Sequence, residues 1–308
     1  MPGSGRIFFR IFVSLIVILA AILIISVYLV RRSFPQLNGE IKLNGLNSTV
    51  RILRDRFGVP QIYASTPHDL FFAQGFVHAQ DRFWQMDGWR HTGAGRLSEM
   101  FGKSQIDTDK FLRTLGWERI VRDELNRTDP TSMNILKSYA EGVNAYLKNR
   151  GGSQISFEYV LFSMINRNYK IANWEPAHSA TFAKVMSWDL CENMFSEINR
   201  SLLSKTLSME QINELYPPYP ENGPFVVPYS SESNFPTEFP VAMLRDPKIQ
   251  ESFQELNFAL QKLPDVIGVH GEAIGSNNWV ISGSRTTTGK PFLANDPHLG
   301  VQMPSIWY

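Results

Sequence analysis

Gly275-Ser276 stands where a proline-rich stretch gives way to strand-forming residues, Asn277-Asn278-Trp279-Val280-Ile281. This pair of residue types can break its own peptide bond. Glycine permits close, strained backbone geometry at the scissile position. The Ser276 hydroxyl can then attack the Gly275 carbonyl, giving an ester that water opens. The cut frees the α-amine of Ser276, whose reference pKa of about 7.7–8.0 suits a general base at neutral pH. Nucleophile and base then belong to one residue. An ordinary turn serine is the other reading of the same pair.

The remaining chemistry-bearing residues point elsewhere less sharply. His78 shares a polar helical stripe with Asp81, Arg82 and Gln85, which fits a structural hydrogen bond. His91, His178 and His270 read the same way. None of these histidines is paired at the spacing of a zinc site. Cys191 is the only cysteine, so no intramolecular disulfide and no cysteine-rich metal site can form. It reads as a small buried hydrophobe. No glycine-rich phosphate loop and no Gly-x-Ser-x-Gly elbow occurs, which leaves an ordinary Ser-His-Asp hydrolase without support. Thirty Lys and Arg stand against 29 Asp and Glu, a net charge of +1 that argues against nucleic-acid binding. With 43% hydrophobic residues and 21 Phe, the 308-residue chain is not disordered.

The elements that must carry these residues follow from patterning. Ile11–Val30 is a 20-residue run without charge, about 30 Å long as a helix and so as thick as a bilayer's hydrocarbon core. The exit Tyr28-Leu29-Val30-Arg31-Arg32 lacks a small-x-small cleavage site, which favours an uncleaved anchor over a signal peptide. Residues 31–40 read as a tether. Glu40–Leu46, Thr49–Asp55 and Gln61–Ala64 read as strands, the last two joined by the turn Phe57-Gly58-Val59-Pro60. Thr66-Pro67 opens a helix carrying Phe72, Phe76, Ala79, Phe83 and Met86 on one face, ended by Gly93 and Gly95. Asp129-Pro130 opens another, with Met133, Leu136, Ala140, Val143 and Leu147 inward. A third is expected from His178 to Lys205, with Phe182, Met186, Leu190, Met194, Ile198 and Leu202 in one row and Asp189, Asn193 and Glu197 beside it. Seven prolines between Tyr216 and Pro240 mark a connector or removable spacer, followed by a helical patch over Ile249–Leu263. Trp279–Ile281 and Pro291–Ala294 then form a hairpin around Thr288-Gly289-Lys290.

Several ordered blocks together resemble the penicillin acylase family of N-terminal nucleophile hydrolases. They are Arg54-Asp55-Arg56-Phe57-Gly58-Val59-Pro60, the helix Gly75 to Asp87, Gly95-Arg96-Leu97-Ser98-Glu99, Gly275 to Val280, and Asn295-Asp296-Pro297-His298-Leu299. The resemblance runs from about residue 38 to the end, apart from the spacer. It implies Ser276 as nucleophile and Gly275–Ser276 as the maturation bond. It places His298 near the oxyanion hole, orienting the Ser276 amine or hydroxyl; a strand-end residue bonding backbone is the other reading. A histidine there looks more like the cephalosporin-acylase and homoserine-lactone-acylase branches than the penicillin G branch. It matches Glu197, in Ser196-Glu197-Ile198, to a structural calcium ligand; a solvated helix glutamate is the other reading. No organic cofactor is implied.

The resulting expectation is an α+β chain, part of a four-layer αββα sandwich with an N-terminal transmembrane helix. Residues 1–32 form the anchor, 33–215 the helical first-chain segment, 216–275 the spacer, and 276–308 the start of the catalytic second chain. The family's second chain is much longer, so these 308 residues are expected to be inactive by themselves. The implied function is hydrolysis of N-acyl amides, acylated β-lactams or acyl-homoserine lactones, by a self-cleaved, membrane-anchored enzyme. Its mature form would be a heterodimer of two chains from one precursor, with the acylase part outside the cytoplasm and residues 11–30 in lipid. A membrane-anchored, noncatalytic scaffold that keeps the fold but never matures is the alternative.

Overall fold

The computed structural model describes residues 4–190, 193–217, 220, 223, 245–260 and 275–299. The chain divides into two compact units, one ending at Val185 and the other beginning at Met186.

The first unit is built on two helices. α1 (Ser4–Arg32) is the apolar N-terminal helix, solvent-exposed along almost its whole length. Its segment Ile7–Arg32, with a mean hydropathy of 3.1, is long and apolar enough to cross a membrane, a test that a signal sequence also passes. β1 (Arg51–Arg54) and β2 (Pro60–Tyr63) pair antiparallel, Arg51 opposite Tyr63 and Arg54 opposite Pro60. α2 (Pro67–Ala94) starts as its sequence dictates: the Thr66 hydroxyl accepts from the Asp69 N–H and Pro67 occupies the first turn. It ends where Gly95 turns left-handed, at φ 61°. Gly93 lies inside the helix, and a kink falls at Arg82. α3 (Leu97–Phe101), α4 (Ile106–Leu115) and α5 (Trp117–Leu125) follow as short helices. α6 (Pro130–Leu147) is capped by Asp129, whose carboxylate accepts from the N–H groups of Thr131 and Ser132. α7 (Gly152–Ile155), α8 (Glu158–Ile165) and α9 (Pro176–Asp189) complete the helical part.

The core lies between α2 and α6. Phe76, Val77, Ala79 and Phe83 from α2 meet Ala140, Val143, Tyr146 and Leu147 from α6, and Phe76 and Tyr146 meet edge to face at 5.4 Å. Two glycines permit this approach. A Cβ on Gly142 would lie 1.8 Å from the Phe72 carbonyl oxygen, and one on Gly75 would lie 2.1 Å from that of Tyr139. Backbone therefore packs on backbone at both points.

The second unit contains α10 (Asn193–Leu203), α11 (Met209–Leu215), α12 (Pro247–Leu260) and the hairpin of β3 (Gly275–Ile281) with β4 (Phe292–His298). Gln250 of α12 donates to the Ser201 carbonyl of α10.

Two expected elements differ. Glu40–Leu46 is not a strand; Gly39 and Gly45 bend it at φ 91° and 109°, and no neighbouring strand offers it a ladder among the described residues. The helix expected over 178–205 is two helices. Its apolar row repeats every four residues, which slips about 40° around an α-helix at each step, so one straight helix cannot keep it on one face. Asp189 and Glu197 therefore sit on different helices. Most of the proline-rich stretch 216–240 lies outside the described residues, as does Cys191.

The crossing generates a paired prediction. Gly142→Ala should destabilise the full-length protein by about 1–3 kcal/mol, because Phe72 backbone must move. Gly88→Ala, on the same helix pair but with nothing within 4 Å of an added Cβ, should be neutral or stabilise by about 0.5–1 kcal/mol. Urea unfolding midpoints of both variants decide it; equal behaviour would deny the close crossing.

Candidate active site

The hairpin sets the geometry around Ser276. In the β3–β4 register Gly275 pairs with His298, Ser276 with Pro297, and Asn277 with Asp296. Side chains alternate faces along a strand, and directly opposed residues share one. Ser276 thus shares a face with Pro297, Asn278 and Asn295. His298 lies on the other face with Asp296, Asn277 and Trp279. His298 Nε2 is 2.9 Å from Asp296 Oδ2, two residues away on that face. An ionised Asp296 requires the hydrogen on Nε2, which leaves Nδ1 as an acceptor. The imidazole therefore stands opposite the backbone of Gly275, not beside the Ser276 hydroxyl. Of the two partners expected for it, amine or hydroxyl, the register suits the amine that a cut at Gly275 would release.

Glu197 is exposed on α10, next to buried Ile198. Calcium takes six to eight oxygen ligands. Among the described residues no group of three or more His, Cys, Asp or Glu could hold a metal ion, so they supply Glu197 as one donor and not a site.

The first unit holds two polar clusters. Arg54, at the end of β1, reaches across to α2. Its guanidinium donates to both carboxylate oxygens of Asp81, at 2.8 and 3.0 Å, to Gln80 Oε1 at 3.0 Å and to the Gly58 carbonyl at 2.9 Å. Asp55 ties the intervening turn by accepting from the N–H groups of Phe57 and Val59. The block Arg54–Pro60 is thus a clip that seats the first hairpin on α2.

The second cluster surrounds Asp87, which is fully buried. Arg90 Nε donates to it at 2.7 Å, Tyr169 Oη at 2.7 Å, and the Tyr159 hydroxyl also binds it. Burial alone would push this carboxyl up, but the bonds from His91 and Tyr159 and the Arg90 charge outweigh it and hold the carboxyl low. Burial and the facing carboxylate push both tyrosines up, so both remain donors. Arg90 also donates to the carbonyls of Ala172 and Asn173. Arg90, His91, Tyr169 and His178 line a polar cavity of about 350 Å³. The sequence contained Asp87 and both tyrosines, but their meeting across more than 70 residues carried no local signal.

The other histidines are structural. His78 Nδ1 lies 2.9 Å from the Tyr139 hydroxyl, and His91 Nδ1 lies 2.7 Å from the Asp87 carbonyl. His178 Nδ1 accepts from the Glu175 N–H at 3.0 Å, so it must carry no proton there. Burial, helped by the Arg90 charge, pushes His178 down to about 4. His270 lies outside the described residues.

That depressed value fixes a sign. Between pH ~6.5 and 4 the unfolded chain protonates this residue while the folded one does not, so stability falls as pH falls through that window. His178→Gln keeps an acceptor and removes the titration. Its unfolding midpoint should drop less between pH 7 and 4.5 than the parent's; an unchanged drop would clear His178 of any part in acid sensitivity.

Comparison with known proteins adds relatives to this geometry. The penicillin amidase family model matches residues 49–308. The chain is 31% identical over 287 residues to acyl-homoserine lactone acylase QuiP of Pseudomonas aeruginosa, covering 89% of this chain and 30% of that protein. It is 30% identical over 282 residues to the penicillin acylase 2 proenzyme of Pseudomonas sp. strain SE83, covering 89% and 33%. It is 27% identical over 297 residues to penicillin G acylase of Escherichia coli, covering 85% and 35%. The chain thus spans about a third of the length of these curated relatives. A solved structure of thermostable penicillin G acylase from Alcaligenes faecalis aligns with a TM-score of 0.46 at 23% identity, over 59% of this chain and 98% of that one.

Proposed function

The chain belongs to the penicillin amidase family, and we propose that it carries the nucleophile of an N-acyl amide hydrolase whose serine, Ser276, becomes N-terminal by self-cleavage. The observation that carries this reading is the pairing of Gly275 with His298. It sets an imidazole acceptor across from the bond whose cleavage would release the Ser276 amine.

The chemistry runs in two stages. In maturation the Ser276 hydroxyl attacks the Gly275 carbonyl carbon, the Gly275–Ser276 C–N bond breaks, and the amine leaves with a proton. Water hydrolyses the ester, giving a Gly275 carboxylate and a free Ser276. In turnover the amine takes the hydroxyl proton as the oxygen attacks the substrate's amide carbonyl. The proton then passes to the leaving amine, and water releases the acyl group by the reverse roles. His298 positions the amine through Nδ1, with Asp296 orienting the ring. Oxyanion donors of the kind this reaction needs stabilise the transition state by about 2.7–4 kcal/mol each.

We propose acylated β-lactams or acyl-homoserine lactones as substrates, in line with the penicillin and acyl-homoserine lactone in the relatives' names. The mature protein is a heterodimer, Glu197 is one calcium ligand, and Ile11–Val30 anchors the precursor in a membrane with the acylase part outside the cytoplasm.

In the full-length protein, Ser276→Ala should abolish both cleavage and activity. Ser276→Cys should retain cleavage and lose most amide turnover, since a thiol can still make the acyl shift. N-terminal sequencing of the released chain should read Ser-Asn-Asn-Trp. An uncut parent that still hydrolyses acyl amides would refute the amine as base, and cleavage of the alanine variant at 275–276 would refute self-processing. An uncut, inactive parent would favour the scaffold reading.

Glu197→Ala should lower calcium content and slow maturation, whereas Asp189→Ala, on the other helix, should do neither. Equal calcium in parent and Glu197→Ala removes this residue from the ligands.

A further inference from the structure

α8 is apolar on both faces. Tyr159 and Phe162 point inward and are 5% exposed each. Leu161, Met164 and Ile165, at spacings of three and four residues on the opposite face, are 51%, 73% and 81% exposed. The helix cannot roll to hide them. Its inner face is pinned by the Tyr159 bond to Asp87, and its end by Asn166, which donates to the Glu99 carbonyl at 2.8 Å. A helix apolar all round belongs in a core or in lipid.

Its surroundings favour lipid. α1 touches α7, immediately before α8. Leu29, near the end of the apolar run and half-buried, shares a cavity with Val160 and Ser163 of α8 and with Arg150, Arg167 and Lys170. Residues 148–171 carry Lys148, Arg150, Arg167 and Lys170 against the single carboxylate Glu158. Arg167 and Lys170 are exposed, and α1 ends on Arg31 and Arg32, two and three residues past Leu29. Aliphatic side chains on α8, with exposed cations following it in the chain and the end of α1 against its neighbouring residues, match the two layers of a phospholipid surface: acyl chains and phosphates.

We infer that the exposed face of α8 docks on the membrane beside α1, with Leu161, Met164 and Ile165 entering the acyl boundary and Arg167 and Lys170 pairing with phospholipid phosphates. This rests on the reading of α1 as a membrane anchor. The occupant is a bilayer containing anionic lipid, and the consequence is a first unit held against the membrane instead of swinging on a tether.

Two measurements test it. The full-length protein is placed in bilayers containing phosphatidylglycerol, with an environment-sensitive fluorophore on one cysteine and all others, Cys191 included, replaced by serine. A probe at Met164→Cys should be quenched at least twofold by a doxyl group near the lipid headgroup. A probe at Ala20→Cys should be quenched by a doxyl group deep in the chain, and one at Lys137→Cys by neither. Quenching at 20 without quenching at 164 leaves the anchor standing and overturns the docking, as when other parts of the polypeptide cover α8. Quenching at 164 without 20 sinks the anchor and with it the docking beside α1. No quenching at either site overturns both.

The second measurement varies the lipid and the cations. In the full-length protein, headgroup quenching at Met164→Cys should fall at least twofold when phosphatidylcholine replaces phosphatidylglycerol, and at least twofold when Arg167→Gln and Lys170→Gln are added in phosphatidylglycerol. No preference between the lipids, or no effect of the two substitutions, overturns the assignment.

Discussion

The contact of α2 with α6 through Gly75 and Gly142 is the constraint on which the first unit depends. Each glycine lets one helix lay backbone against the other's carbonyl, at Tyr139 and at Phe72. With larger residues at either point the helices would separate, and the aromatic layer between them would lose its interdigitation. Several other stretches of the unit are fastened to α2. Asp69 in its first turn accepts from the backbone of Asn47 and Ser48, Asp81 receives the Arg54 clip, and Asp87 gathers Arg90, His91, Tyr159 and Tyr169. Three carboxylates along one helix thus hold three separate stretches of chain.

The Asp87 cluster shows why such fastening is specific. A buried carboxylate without partners is strongly unfavourable, so each donor removed leaves the Asp87 charge less well compensated. The donors come from α2 itself, from α8 and from the segment after it. The chain must therefore bring these pieces to one point or leave a buried charge bare. The same pinning turns the outer face of α8 outward, so an internal polar constraint creates the apolar ridge that marks the surface.

The hairpin in the second unit works by a different rule. Strand alternation sends neighbouring residues to opposite faces, so a shift of one residue in register would exchange the surroundings of Ser276 and His298. In the observed register the imidazole faces the main chain of Gly275 and is steadied by Asp296. A nucleophile that supplies its own base needs little else nearby: an oriented amine, a carbonyl within reach, and donors for the oxyanion.

Local signals made much of this readable from residue order. Thr66-Pro67 and Gly95 bound α2, Asp129-Pro130 opens α6, and Trp279–Ile281 with Phe292–Ala294 form the hairpin, because caps, prolines and strand formers act within a few residues of themselves. The 20-residue apolar run and the Gly275-Ser276 pair are equally local. Tertiary structure alone decided the rest. A glycine in a helix reads as a weak helix former until its neighbour's carbonyl is seen against it. A strand such as Glu40–Leu46 exists only if another offers a ladder. Which groups surround Asp87, and that α8 keeps an apolar face in the open, depend on contacts between residues tens of positions apart, and those distances are set by packing and not by neighbouring sequence.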